Sequence, residues 1–230
     1  KIVLSVTNRP EILVLYYFLI FYIYIIYSKF HIVNLLKFKF FCYNIIKTFL
    51  SAGGNLMNET LKNLIERRSI KKYKNDKIDT GLLNQILEAG TYAANGRGIQ
   101  GTSIVAIQNA ELIKTLEVMN AKVMGNPDAK PFYNAPTVVV VFGDTTSHTF
   151  VEDGSLVMGN LMNAAYALGV DSCWIHRARQ IFESEEGRNL AREWGVEDKY
   201  AGIGFCILGY RDCELPSPKP RKNDFVRIIL

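Results

Sequence analysis

The chain has 230 residues and a net charge of +5, from 27 Lys and Arg against 22 Asp and Glu, a length that suits one or two domains. The whole excess sits in the first 56 residues, where Arg9 and five lysines face Glu11 alone. Residues 57–230 balance 21 basic with 21 acidic side chains, so they lack the positive footprint that nucleic acid or an anionic membrane surface requires.

Residues 12–27, "ILVLYYFLIFYIYIIY", form an unbroken apolar run of sixteen, short of the roughly 20 residues of a membrane-spanning helix. Aromatic and β-branched residues dominate it and favour strand and aggregation over a clean helix. No A-x-A-like cleavage site follows, which argues against a signal peptide. Phe, Ile, Lys, Asn, Tyr and Leu, all encodable by A and T alone, make up most of residues 1–56. Gly53-Gly54, a few codons before Met57, reads as a purine-rich, ribosome-binding-like stretch. We therefore expect Met57 to begin the native protein and residues 1–56 to be a translated upstream leader, with a membrane anchor as the alternative. Residues 57–230 are expected to form one domain.

After Met57, "NETLKNLIERRS" puts Leu61, Leu64, Ile65 and Arg68 at helical spacing, with Asn58 as N-cap. A second helix fits "TGLLNQILEAGTYAA", where Leu82, Leu83, Ile86 and Leu87 make an apolar face. "SIVAIQN" reads as a strand, "AELIKTLEVMNAKVM" as a helix, and "APTVVVVFGD" as a buried strand. "VEDGSLVMGNLMNAAYALG" is a long central helix. "DSCWIH" is a strand, "SEEGRNLAREWG" a helix with acids in its first turn, and "GIGFCILGY" a last core strand. The tail "ELPSPKPRKNDFVRIIL" is proline-rich and extended. The four cysteines show no C-x-x-C spacing. Cys173 and Cys206 lie in apolar runs as small buried hydrophobes, which suits a reducing cytoplasm.

Alternating helices and strands by default suggest a doubly wound parallel sheet. Yet no G-x-G-x-x-G follows a strand and no P-loop is present, so any phosphate must be held by side chains. Three clusters offer them. "RRSIKKY" carries Arg67, Arg68, Ser69 and Lys71: cations capping a helix C-terminus, or a phosphate grip built on bidentate guanidinium groups. "YAANGRGIQGTS" combines small residues with Asn95, Arg97 and Gln100: a plain turn, or a backbone that a flat ligand can approach. "SPKPRK" places Lys219 and Arg221 on a stiffened tail, solvated unless they meet an anion.

Together, "RRSIK", the "YAANGRGIQ" turn, the "SCWI" strand and the late "KPR", in that order from about Glu59 to Ile228, resemble the FMN-dependent nitroreductase family. The resemblance implies an α+β fold, a mixed, mostly antiparallel sheet flanked by helices, in an intertwined homodimer with FMN at the interface. It overrides the doubly wound default. By motif match, Arg67, Arg68 and Ser69 hold the FMN phosphate and ribityl chain, and Lys219 and Arg221 meet the same phosphate. Lys71 stands at the pyrimidine edge, where a cation favours the reduced flavin. Asn95, Gly96 and Gln100 border the ring and ribityl chain, and Ile175, His176 and Arg177 pass it with their backbone. The activity implied is ping-pong transfer of hydride from NADH or NADPH to a small-molecule acceptor, a nitroaromatic or a quinone. No acid–base triad is needed for that chemistry. His176 is expected to be a satisfied structural histidine, with proton donation as the alternative, and His148 to have no chemical role. Gly98, where many family members have Asn, and Gly101-Thr102, where they have Pro-Trp or Ser-Pro, depart from the pattern. Two other readings stay open, a non-catalytic flavin-binding dimer and a membrane-tethered redox enzyme.

Overall fold

The computed structural model describes residues 57–229; residues 1–56, with Cys42 and the expected leader, lie outside the described residues. Helix α1 spans Glu59–Glu66 and α2 Thr80–Thr91, followed by a 3-10 turn at Gly96–Gly98. Then come β1 (Thr102–Ile107), α3 (Ala110–Met124), β2 (Thr137–Asp144) and α4 (Phe150–Ala167). The chain closes with β3 (Asp171–Ile175), α5 (Ala178–Glu183), α6 (Glu185–Glu193) and β4 (Tyr200–Gly209).

Helix starts follow local chemistry. The side chains of Asn58, Asp79, Asn109 and Ser184 each accept from a backbone N–H of the first turn of α1, α2, α3 and α6, satisfying donors that the helix itself leaves open. Helix α3 stops at Gly125, which takes the left-handed conformation (φ 74°) of a glycine C-cap.

The sheet order is β1-β2-β4-β3, and every neighbouring pair is antiparallel. The parallel default fails, and the mostly antiparallel α+β sheet holds. Among the described residues the one parallel pairing is a bridge between Ser69 and Ser172 at the outer edge of β3. Strand β2 is central, and residues 137–143 are all buried. Val138, Val140 and Phe142 face a core shared with α3 and α5, and Val139 and Val141 face one shared with α2 and α4. Period-two alternation thus sends successive valines into two different cores, which explains why the strand reads as an uninterrupted apolar run. Helix α4 lies close on β4: a Cβ at Gly154 would stand 2.5 Å from Ile203 Cγ1.

Three features were not read from the sequence. The face of Leu61, Leu64 and Ile65 on α1 is exposed, between 52% and 57%, so its apolar stripe meets no core among the described residues. Arg68 falls beyond the helix, whose C-cap is Arg67. Helix α5 was not foreseen; it is six residues long and follows a left-handed Arg177 rather than a side-chain cap. Cys173 and Cys206 are buried free thiols and Cys213 is exposed.

Candidate functional site

Beyond α1 the backbone becomes extended, and residues 69–74 run along the open edge of β3 toward the end of β4. Ile70 N donates to Ser172 O at 3.1 Å, Lys74 N to Tyr210 O at 2.8 Å, and Asp212 N to Lys72 O at 3.0 Å. Tyr73 bridges Arg211, and its hydroxyl donates to Ile70 O at 2.9 Å. Burial pushes that phenol's pKa up. The stem carrying Arg67, Arg68, Ser69 and Lys71 is therefore fixed by a sheet edge rather than by a loop.

Four buried side-chain atoms among the described residues have no hydrogen-bond partner, and three lie in this stem and its neighbour: Arg67 Nη1, Arg68 Nε and Ser172 Oγ. Arg68 Nη1 also donates to Ile65 O and Arg67 O, both at 2.6 Å, so that side chain does cap α1 while leaving Nε free. A buried donor without an acceptor costs about 1–3 kcal/mol. Unpaired guanidinium donors in a stem that bridges to the strand carrying an unpaired hydroxyl fit an oxyanion such as a phosphate. Cys173, on the next residue of β3, is pulled down by Ser69, Lys71 and Arg67, but burial outweighs them and raises its pKa. It is a buried thiol, not a nucleophile. Lys71 is exposed, its Nζ 5.8 Å from the centroid of the Tyr133 ring, within range of a cation–π contact.

The second segment, residues 95–100, is pinned from α4. Gly96 N donates to Asp153 Oδ1 at 2.9 Å, and Thr149 Oγ1 to Asp153 Oδ2 at 3.0 Å. Asp153 is 4% exposed and sits in the first turn of an 18-residue helix, where the helix dipole favours its charge. Asn95 Oδ1 accepts from Gln100 N at 2.9 Å, closing the turn. A Cβ at Gly96 would stand 2.3 Å from Thr149 Oγ1, so only glycine allows this approach. Gly96→Ala is expected to destabilise the protein by about 2 kcal/mol, a fall of roughly 4–8 °C in Tm for a chain of this size. Adding Thr149→Ala should restore part of the loss; no recovery would place the strain elsewhere. Gly98 is left-handed at φ 67°, a conformation that Asn also tolerates. The departure at this position keeps the backbone and removes only a side chain.

The third segment is the turn after β3. Ile175 is buried, and His176 O accepts from Asn120 Nδ2 at 2.8 Å. Asn120 is fully buried on α3 and its Oδ1 is the fourth unpartnered atom. The His176 side chain is exposed rather than a satisfied structural histidine; it is the backbone here that is held. Arg177 is left-handed at φ 79°. Of five non-glycine residues with positive φ among the described residues, Arg97, Gln100 and Arg177 fall in these two segments, and Tyr133 lies by Lys71. Such strain clusters at functional sites. His148 is exposed in its loop.

The tail does not join this constellation within the chain. Lys219 and Arg221 are exposed, and Arg221 Nε and Nη2 donate to Lys219 O at 3.2 and 3.0 Å. Ser172, Asp153, Asn120 and Tyr133 were not singled out by sequence. Each is a single residue whose partner lies far along the chain, so no local pattern marks it.

Comparison with known proteins follows the same geometry. A family model described as the nitroreductase family matches residues 64–210. A solved nitroreductase with bound FMN from Bacteroides fragilis superposes with a TM-score of 0.70 at 27% identity, covering 76% of this chain and 100% of that one. A second, from Desulfitobacterium hafniense and also with bound FMN, gives 0.68 at 24% identity over 76% and 100%. A protein of Archaeoglobus fulgidus, named as a candidate NADH dehydrogenase/NAD(P)H nitroreductase, is 26% identical over 160 residues, 67% of this chain and 86% of that protein.

Proposed function

The chain belongs to the nitroreductase family, and from that premise we propose that it is an FMN-dependent oxidoreductase, a homodimer that uses NADH or NADPH to reduce nitroaromatic or quinone-type acceptors. The observation that carries the reading is the set of unpartnered buried donors on Arg67, Arg68 and Ser172, which an FMN phosphate would satisfy.

Bound FMN would supply the chemistry, accepting hydride from the reduced nicotinamide and passing it on to an electron-poor acceptor. The protein's part is binding and orientation. Arg67, Arg68 and Ser69 bind the phosphate end; Lys219 and Arg221, exposed on a tail that does not reach it within the single chain, join it in the assembled dimer. Lys71 supplies positive charge at the pyrimidine edge. Asn95, Gly96 and Gln100 line the ring and ribityl chain, with Asp153 holding the loop in place. Ile175, His176 and Arg177 present backbone to the ring, fixed by Asn120.

The dimer is supported by apolar surface that the single chain leaves uncovered: Leu61, Leu64 and Ile65 on α1, and Phe225, Val226 and Ile228 in the tail, all more than half exposed. Among the described residues no helix is long and apolar enough to cross a membrane. Three free cysteines among the described residues support a cytoplasmic location.

The visible spectrum of the purified, FMN-reconstituted protein tests the cofactor. NADH and NADPH oxidation with menadione or a nitrofuran tests the reaction, parallel double-reciprocal lines being expected. A yellow protein inert to both nucleotides is a flavin-binding dimer instead, and a protein that retains no FMN overturns the reading altogether.

A further inference from the structure

The turn that leaves β3 consists of His176 and Arg177, between Ile175 and Ala178, both buried. Ala178 sits tightly on β4: a Cβ at Gly202 would stand 2.7 Å from its carbonyl oxygen. With both ends held, the movement left to the turn is reversal of its middle peptide, which turns over His176 C=O and Arg177 N–H together. Arg177 has φ 79° and ψ 8°, the values of the third residue of a type II turn, a position that calls for glycine. The type I turn has the middle peptide reversed and puts the same residue at about φ −90°, ψ 0°. An L-residue in the left-handed region is disfavoured roughly tenfold. The observed orientation is thus the one this sequence disfavours locally, and it must be held from outside the turn.

We propose that Asn120 is a positioning residue that locks the 176–177 peptide, so that the turn offers the flavin ring the Arg177 N–H and not the His176 carbonyl. The proposal rests on the FMN-oxidoreductase reading above, which supplies the ring.

Three observations carry it. First, Asn120 reaches the turn from α3: its Nδ2 donates to His176 O at 2.8 Å, which fixes the peptide in the strained orientation. Second, Asn120 is fully buried and its Oδ1 has no partner. An amide that leaves an acceptor unsatisfied in the core is a poor packing residue, and an apolar side chain of that size would suit the place better. The bond to His176 is what the amide supplies that an apolar residue cannot.

Third, the peptide is planar and trans, so its C=O and N–H point in opposite directions. A His176 carbonyl aimed at α3 sends the Arg177 N–H away from that helix. This N–H finds no acceptor among the described residues, and His176 beside it is exposed. The donor therefore faces the open side of the turn, where a ligand can take it. Reversal of the peptide would relax Arg177, strand Asn120 Nδ2 and show the ligand a carbonyl instead.

Asn120→Leu removes the donor at similar volume, and Asn120→Ala removes it without added bulk should leucine not be accommodated. Each is made with Arg177 in place and together with Arg177→Gly, because glycine has no bias against the left-handed region. Crystal structures read the sign of φ at residue 177: positive with Asn120, negative in Asn120→Leu. In urea melts of the flavin-free proteins, Arg177→Gly should raise the midpoint where Asn120 is present, by relieving strain. Beside Asn120→Leu it should lower the midpoint, since no strain is left and only the flexibility of glycine counts. Fluorescence titration should show Asn120→Leu weakening FMN binding about tenfold with Arg177, for one lost hydrogen bond. Beside Arg177→Gly, where both orientations are open, the loss should be about threefold or less. A residue that merely packs gives the same factor in both backgrounds. A φ that stays positive in Asn120→Leu, a midpoint change of one sign in both backgrounds, or FMN factors equal within about twofold overturns the proposal. An unsubstituted protein that holds no FMN overturns the functional reading instead, and φ and the melts still report on the lock.

Discussion

Arg67→Ala combined with Arg221→Ala is expected to raise the dissociation constant for FMN about 100-fold or more while leaving the fold of the flavin-free protein intact. Hydrogen bonds to charged groups contribute about 1.5–3 kcal/mol each, and about 1.4 kcal/mol is a factor of ten in affinity. Arg67 should carry the larger share. It is half-buried with Nη1 unpartnered, so its attraction to a phosphate is little screened, whereas Arg221 is exposed and weakened by salt. The sign of the stability effect separates binding from folding. Without FMN, Arg67 Nη1 is a buried donor lacking an acceptor, so its removal should leave the flavin-free protein as stable as before or slightly more so. A fluorescence titration with FMN and a urea melt of the flavin-free protein read the two quantities. Undiminished flavin affinity would contradict the assignment of this site. Arg67→Lys should recover little, because a lysine cannot replace two parallel guanidinium donors.

The parts of this site that could be read from sequence were those whose residue type declares the chemistry. A run of Arg-Arg-Ser-x-Lys at a helix end states its anion affinity in its own composition. The elements with strong punctuation were equally legible: α3 runs from its Asn109 cap to Gly125 as its pattern predicts. Topology was not legible in periodicity. Alternating helices and strands are as compatible with a parallel sheet as with the antiparallel order β1-β2-β4-β3, and family resemblance decided it. The supporting residues were hidden for a different reason. Asp153 holds Gly96 across 57 positions, and Asn120 holds His176 across 56; each sits alone in a helix pattern that a polar residue merely interrupts. Helix α5 was missed because six residues hold too few turns to show a period, and its start is a left-handed arginine instead of a capping side chain. The apolar face of α1 shows the same limit, because helical spacing reports that a face is apolar and not what covers it.

Arg211→Ala is expected to destabilise the protein by about 3 kcal/mol, the lower part of the range for removing one partner of a buried ion pair, with Asp171→Asn costing less than half as much. The asymmetry follows from burial. The Asp171 side chain is 4% exposed and that of Arg211 42%. Asp171 Oδ2 accepts from Arg211 N at 3.0 Å, and Arg211 Nη1 reaches Oδ1 at 3.0 Å and Oδ2 at 3.3 Å. Removing the guanidinium strands a buried carboxylate on one backbone donor. Neutralising the carboxylate instead keeps that acceptor in place, and the guanidinium turns to water. The same pair fixes the end of the stem: Arg211 bridges Tyr73, and Lys72 to Lys74 lie against residues 210–212. The neighbouring Lys72–Asp212 pair, 3.0 Å apart with both partners about half exposed or more, is too screened to hold that edge alone. Arg211→Ala should therefore lower Tm by roughly 6–12 °C and weaken FMN binding through Arg67 and Ser69, with no contact of its own to the cofactor. If Asp171→Asn proves the more damaging change, burial is not what governs this pair, and the sheet edge must be held by something other than a desolvated carboxylate.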